Sequence, residues 1–401
     1  MRLSDTGRRP VPPERSFPWE WGRRPVLQRS SLPMVAQASR LCASDRAEGK
    51  PLKVEAKRIV VRAPNWVGDV VMATPTFRAL RANFPDAHIA IALRPYVRPI
   101  LNGAPWFNEV IATEDRGWGN FWGLVRTLRA GRFDLAVILP NSFRTALEAW
   151  LGRVTHRIGY ARRRRSILLT APIAPPRDRK GRFIPRNMVD YYLTLCEHLG
   201  CQGLSPREEL FITPDCQDRA DALLAKHEVA ADARLIGMNP GGAFGSSKLW
   251  PAERFVVVGD ALAAKGFRVI LFGSPAERPI LDKIASAMAS KPILPEAGEL
   301  DLDVLKPLVR RCSLLVTNDT GARHYAVAFD VPAVTIMGST SPRYTDVNLE
   351  KQIVVRVDVD CGPCQKKVCA TDHRCMTRIS PDMVLAAADK LLAGRFGQLP
   401  R

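Results

Sequence analysis

The sequence predicts an α/β protein built from two doubly wound parallel sheets that face each other across a cleft. Three observations carry that expectation. The chain has 401 residues, too many for one ordinary core and enough for two. From Arg58 onward, short apolar runs alternate with amphipathic stretches, the pattern of strands separated by covering helices. The alternation breaks near 200–214, at Gly200, Gly203, Pro206 and Pro214, and then starts again.

Residues 1–57 come first and read differently. They are rich in Pro, Arg and Ser, show no sustained period, and repeat Gly-Arg-Arg-Pro-Val at 7–11 and 22–26. That composition predicts a disordered extension without chemistry. In the first half, 59–63 reads as a strand followed by an amphipathic run through Phe84, and 88–93, 109–112, 135–139 and 156–160 read as further strands. After the break, strands are expected at 235–239, 267–272, 314–317 and 333–337. Helices are expected at about 251–265, 276–290, 301–311 and 321–329, and a last one near 381–394. The expected domains are 58–205 and 206–401, with a hinge between them. Doubly wound sheets hold ligands at the carboxyl ends of their strands, so the cleft is the expected site.

Net charge is +19, and residues 1–57 hold 12 Lys/Arg against 6 Asp/Glu, so +13 falls on the remainder. A field of that size favours an anionic partner: nucleic acid, acidic lipid or phosphorylated sugar. No window has the roughly 18 uninterrupted apolar residues of a membrane span. The polar, Pro-rich start offers no apolar stretch for a signal peptide. A cytoplasmic protein is expected, and five singly scattered cysteines fit reduced thiols.

Three segments carry chemistry, each where a strand runs into a helix. In Pro64-Asn65-Trp66-Val67-Gly68-Asp69, Gly68 lets backbone approach a ligand, and Asp69 is either a helix cap or a general base aimed into the cleft. Asn239-Pro240-Gly241-Gly242 is followed by Lys248-Leu249-Trp250-Pro251, with Pro251 suited to a first helical position. Gly-rich backbone beside a lysine can hold phosphate oxygens, although the Gly-Lys-Ser/Thr order of a Walker A loop is missing. Thr317-Asn318-Asp319-Thr320-Gly321 places small residues and free N–H groups at a helix start, an anion site. Asp319 could itself be the cap, and His324, inside the helix, reads as a packed or surface residue.

Together, Arg-Ala-Pro-Asn-Trp-Val-Gly-Asp (62–69), Pro-Gly-Gly-Ala with Lys-Leu-Trp-Pro (240–251), and Asn-Asp-Thr-Gly (318–321) resemble glycosyltransferase family 9. The Asn-Trp-Val-Gly-Asp form, Pro140-Asn141-Ser142-Phe143-Arg144 and the Cys-rich tail resemble its heptosyltransferases. The resemblance runs from Arg58 to about Leu392. It implies a GT-B fold of two Rossmann-like domains: an N-terminal acceptor domain, a C-terminal sugar-nucleotide domain, and a final helix that crosses back. It also implies inverting transfer of L-glycero-D-manno-heptose from ADP-heptose to the first heptose of the lipopolysaccharide inner core. One departure is Ala322-Arg323-His324-Tyr325, where members usually carry a small or apolar residue and a Met before the His.

Carried over by position, the resemblance makes Asp69 the catalytic base and Lys248 the residue that pairs the diphosphate and offsets charge on the departing ADP. Gly68 would give the acceptor and the diphosphate room, and Gly241 and Gly242 would bind the donor. Asp319 would hold heptose hydroxyls, Thr320 and Gly321 would donate N–H groups to the diphosphate, and Glu277 would bind the ribose. The chemistry needs no second carboxylate, metal or cofactor. Arg94, Arg98, Arg144, Arg162 and Arg163 fall in the acceptor half, where they suit phosphates and sugar acids. The tract Arg162–Arg165 also suits an anionic membrane surface, which predicts a protein peripheral on the inner face of the cytoplasmic membrane.

The expected partners are ADP-heptose and a lipid A–Kdo–heptose acceptor; nucleic acid is not expected, and the protein is expected to be a monomer. Cys361, Cys364, Cys369 and Cys375, with His373 among them, could hold zinc or form a reduced loop over the cleft. Rival readings are a family 9 transferase acting on Kdo and a non-catalytic Rossmann protein that binds nucleotide or nucleic acid. No aromatic-rich RNA motif supports the latter, and no G-x-G-x-x-G follows the first strand of either half as a dehydrogenase would require.

Overall fold

A central strand of a parallel sheet must be apolar on both faces, and Arg58–Arg62 (β1) meets that demand. Ile59 and Val61 enter one hydrophobic cluster and Val60 another. The computed structural model describes residues 54–394, and all of them belong to one compact unit. From β1 the first half continues through α1 (Val67–Met72), α2 (Thr74–Asn83), β2 (His88–Leu93), β3 (Glu109–Ala112), α3 (Trp118–Gly131), β4 (Leu135–Ile138), α4 (Phe143–Leu151), β5 (His156–Tyr160), β6 (Ala171–Ile173) and α5 (Met188–His198). The second half runs α6 (Pro214–Lys226), β7 (Leu235–Asn239), α7 (Ala252–Ala264), β8 (Arg268–Leu271), α8 (Arg278–Ala287), α9 (Leu305–Arg311), β9 (Cys312–Asn318), α10 (Gly321–Ala328), β10 (Ala333–Ile336), β11 (Gln352–Val355) and α11 (Pro381–Leu392).

Both sheets are parallel. The first has the order β3-β2-β1-β4-β5-β6 and the second β11-β10-β9-β7-β8. Each order reverses once, between β1 and β4 and between β7 and β9, and these reversals open crevices at the strands' carboxyl ends. The three loops singled out in the sequence leave β1, β7 and β9, the strands at those switch points. Local capping fixes where several helices begin. Ser142, Asn187, Thr213 and Ser380 each accept a backbone N–H from the first turn of α4, α5, α6 and α11.

Several elements differ from expectation. The run through Phe84 is two helices, because the chain turns at Ala73 and Pro75 starts the second. β6 and β11 had no clear signal: each is a short edge strand, and Pro172 interrupts the apolar pattern of β6. Pro251 is the N-cap of α7 and not its first residue. The final helix does not cross back. Val384, Ala387, Ala388 and Leu391 form an apolar stripe that packs α11 on β9, β10, β11 and α7, within the second half.

The segment read as a hinge is pinned along α2. Asn83 and Gln202 exchange hydrogen bonds, Arg78 pairs with Glu209 at 2.6 Å, and Glu209 donates its N–H to Thr74. The predicted disordered extension lies outside the described residues except at its end. There Val54 and Ala56 pack on the core, and the Lys57 N–H donates to Asp134 at 2.8 Å.

Candidate active site at the junction of the two sheets

The β1 loop is held from beneath. Arg62 is buried and pairs with Asp115 at 2.5 Å and with Glu148 at 3.5 Å. Asp115 also accepts from Asn65, whose carbonyl accepts from Tyr96. This fixes the entry to α1, whose N-cap is Trp66, without a side-chain cap. Asp69 lies in the first turn and does not cap the helix. Its carboxylate instead accepts from the Tyr192 hydroxyl of α5 at 3.4 Å.

The two halves meet through glycines. A Cβ on Gly68 would stand 2.8 Å from Cδ2 of His324, and one on Gly321 would stand 2.6 Å from Val67 Cγ1. These contacts bring the start of α10 against the start of α1, so Asp69 faces the second half. Behind this contact, His324 Nδ1 lies 3.5 Å from Glu208 Oε1, and both side chains are buried. Burial pushes the Asp69 carboxyl above the usual carboxylate range, opposed by His324, the Tyr192 hydrogen bond and Lys248.

Asn318 ties the β7 and β9 loops together. Its amide donates to the carbonyls of Pro240 and Gly241, and its oxygen accepts from Trp250 N–H. A Cβ on Gly241 would displace the Glu277 carboxylate, which accepts from the Gly242 N–H at 2.5 Å. The other Glu277 oxygen accepts from Ser274 N–H and hydroxyl. Glu277 thus sits at the glycine loop with both oxygens engaged there.

Lys248 is not a solvated lysine. Its ammonium lies 2.6 Å from Asp319 Oδ2 and 3.1 Å from the Asp319 carbonyl oxygen. Thr340 donates to the same carboxylate at 2.7 Å, and Arg323 lies 3.6 Å away on the other oxygen. Burial opposes ionisation of Asp319, but Lys248 and Arg323 hold its carboxyl down to about 2. Asp319 does not cap α10: that position is Thr320, whose side chain makes no cap bond. Its N–H and that of Gly321 therefore remain at a helix start, next to two cations.

The Cys-rich loop buttresses this lysine. Ser247 donates its N–H to Lys367 O and its hydroxyl to Lys366 O, while His373 Nε2 meets Ser247 O at 3.0 Å. Cys361, Cys364, Cys369 and Cys375 line one cavity with His373 and Ser247. Among the described residues no group of three or more His, Cys, Asp or Glu is arranged to hold a metal ion.

The profile of glycosyltransferase family 9 (heptosyltransferase) matches residues 121–374. The chain is 31% identical to lipooligosaccharide heptosyltransferase 2 of Haemophilus ducreyi over 356 residues, covering 84% of this chain and 99% of the relative. The chain belongs to glycosyltransferase family 9. It is therefore an enzyme that transfers heptose. The fold is also that of a solved ADP-heptose lipopolysaccharide heptosyltransferase II from Escherichia coli, at a TM-score of 0.70 and 28% identity, over 84% of this chain and 99% of that one. A family 9 glycosyltransferase from Veillonella parvula matches at a TM-score of 0.74 and 26% identity, over 86% of this chain and 100% of that one.

The transferase's arginines divide. Arg94 pairs with Glu114 at 3.2 Å and stacks on Tyr96, next to the β1 loop, and Arg98 is exposed beyond it. Arg144 pairs with Glu148 at 2.9 Å and stacks on Phe121. Arg162 stacks on Phe183, while Arg163 and Arg164 are exposed. Arg165 does not belong with them. It is fully buried and donates to the carbonyls of Tyr160, Pro140 and Ser142, so it cannot meet a membrane. Sequence reasoning missed Tyr192, Glu208 and Thr340, which reach the site by tertiary packing and leave no local pattern; it had Asn318 in its motif without a role of its own, and gave His324 no part in the site.

Proposed function

We propose that this transferase moves L-glycero-D-manno-heptose, with inversion, from ADP-heptose to the first heptose of the lipopolysaccharide inner core. The observation that carries this is the placement of Asp69 in one half against Lys248, Asp319 and the start of α10 in the other. A base and an anion site on opposite walls are what an in-line displacement needs. The acceptor hydroxyl gives its proton to Asp69, whose raised pKa makes it a better base than an ordinary aspartate. The acceptor oxygen then bonds to the anomeric carbon. The bond from that carbon to the diphosphate oxygen breaks, and the electron pair leaves with ADP.

Lys248 and the N–H groups of Thr320 and Gly321 stabilise the charge that grows on the diphosphate. Arg323 keeps Asp319 ionised when Lys248 turns toward the diphosphate, leaving Asp319 able to accept heptose hydroxyls. Gly68, Gly241 and Gly242 let the donor lie against backbone, and Glu277 takes the ribose. In this reading 58–205 binds acceptor through Arg94, Arg98, Arg144, Arg162 and Arg163, and 206–401 binds donor. The protein acts as a monomer on a lipid A–Kdo–heptose acceptor at the inner face of the cytoplasmic membrane. The names of the solved and curated relatives support the donor and the class of acceptor.

The test is incubation with ADP-heptose and defined core acceptors, one ending in Kdo and one in the first heptose, with products read by mass spectrometry. Heptose added only to the heptose-ended acceptor supports the proposal. Addition to the Kdo-ended acceptor replaces it with the other acceptor specificity.

A further inference from the structure

The outer layer over one face of the first sheet is unusual for a surface exposed to water. Leu124 and Leu128 of α3, Ala146 and Ala149 of α4, and Leu168 and Leu169 pack inward on Val60, Ala90, Ala136 and Ile138. Their helices also carry apolar side chains outward. On α4, Phe143 and Trp150 stand two turns apart at i and i+7 and are 42% and 48% exposed, while Leu147 between them is half-buried against the inner cluster. This helix is apolar on both sides, which burial in the first sheet alone does not explain.

On α3, Trp118 and Trp122 are exposed and are followed on the same stripe by Arg126 and Arg129. Arg129 donates to Leu151 O at 2.7 Å and stitches the two helices side by side. The adjoining turn adds Arg163, Arg164 and Ile167, the last 82% exposed. Charge on this layer has one sign. From Arg116 to Leu169 the sequence has 11 arginines, of which Arg165 is buried, no lysine and two acids. Asp134 is taken by the backbone N–H groups of Lys57 and Arg58, and Glu148 is buried against Arg62 and Arg144.

We propose that the outer faces of α3 and α4, with the turn carrying Arg163, Arg164 and Ile167, dock on an anionic lipid bilayer. Tryptophans suit the headgroup level, apolar residues enter the acyl boundary, and arginines meet lipid phosphates while burying their stems. A second copy of the chain is the poorer occupant, because it would set arginine against arginine. Trp118 and Phe143 stand at the helix starts that follow β3 and β4, at the carboxyl end of the sheet, the end that also carries the β1 loop and Asp69. A docked face would therefore bring the acceptor side of the cleft to the membrane. This deepens the proposed use of a lipid-linked acceptor and rests on that reading only for its purpose.

The test is sedimentation of the full chain with vesicles of phosphatidylglycerol and phosphatidylethanolamine, or of phosphatidylcholine alone, at low and high salt. The variants are Trp122→Ser with Trp150→Ser, and Arg126→Ser with Arg129→Ser. The parent is expected to sediment with anionic vesicles and not with phosphatidylcholine. Each double variant is expected to lose about tenfold or more in partitioning. ADP affinity and turnover on delipidated acceptor should stay at the parent's values, which also reports that the variants fold. A parent that ignores anionic vesicles, variants that sediment like the parent, or dimerisation of the parent that both variants abolish would each overturn the proposal. Failure to transfer heptose to any delipidated acceptor would instead refute the functional reading and leave the vesicle result standing.

Discussion

Lys248 Nζ and Asp319 Oδ2 stand 2.6 Å apart, a paired cation and anion at the start of a helix. With Arg323 also on Asp319, the cluster carries one net positive charge before donor arrives. Lys248→Ala should therefore weaken ADP and ADP-heptose binding by roughly 1.5–3 kcal/mol, the range for a charge-assisted contact. Isothermal calorimetry with ADP reads this directly, and an unchanged Kd would remove Lys248 from the donor site.

Asp319 gives a stability prediction with a definite sign. Its folded carboxyl is held at about 2 against 3.8 for an unperturbed one. The stabilisation is fully present above pH ~4 and is lost as pH falls through about 2. That difference corresponds to roughly 2 kcal/mol. Asp319→Asn should be less stable by about that amount or more near neutral pH, because two cations lose their counter-ion. The gap to the parent should narrow on acidification, as followed by urea unfolding across pH.

Gly68 lies at a close contact between the halves, so Gly68→Ala should force His324 aside. The expected cost is about 1–3 kcal/mol of stability, as for overpacking elsewhere. Turnover should fall with it, since Asp69 is the next residue. Thermal unfolding together with steady-state kinetics checks both; a variant with parental stability would mean that the ring yields freely.

Deletion of residues 1–53 and of residues 1–57 should differ. The longer deletion removes Val54, Ala56 and the Lys57 N–H bond to Asp134. It should lower stability by about 1–2 kcal/mol relative to the shorter one. Equal melting temperatures would show that this short segment contributes nothing.

How far the sequence reveals this site depends on the range of the forces that build it. Asp69, Lys248 and Asp319 were legible because a strand end, a glycine and a helix start are local and fall within a few residues. Glu208 was not, since its burial beside His324 requires the chain to run along α2 first. Arg162–Arg165 are four identical letters. The turn alone decides that Arg165 goes inward while Arg163 and Arg164 stay out. The long central strands announced themselves through apolar runs on both faces. Of the four edge strands, β3 and β8 were legible and β6 and β11 were not: β6 is three residues with Pro172 at its centre, and β11 buries only alternate residues.

Asp69 carries the central claim, that a base on one wall works against cations on the other. Burial raises its folded pKa above 3.8, so ionised Asp69 costs stability, and the stabilising contribution of the protonated form is lost as pH rises through the folded value. The most direct measurement is the turnover of Asp69→Asn on heptose-ended acceptor, with ADP-heptose affinity measured on the same preparation. Turnover should fall on the order of 10²–10⁴-fold with donor affinity nearly unchanged, and the variant should be at least as stable as the parent at pH 7. Near-parental turnover in a folded Asp69→Asn protein would contradict the account.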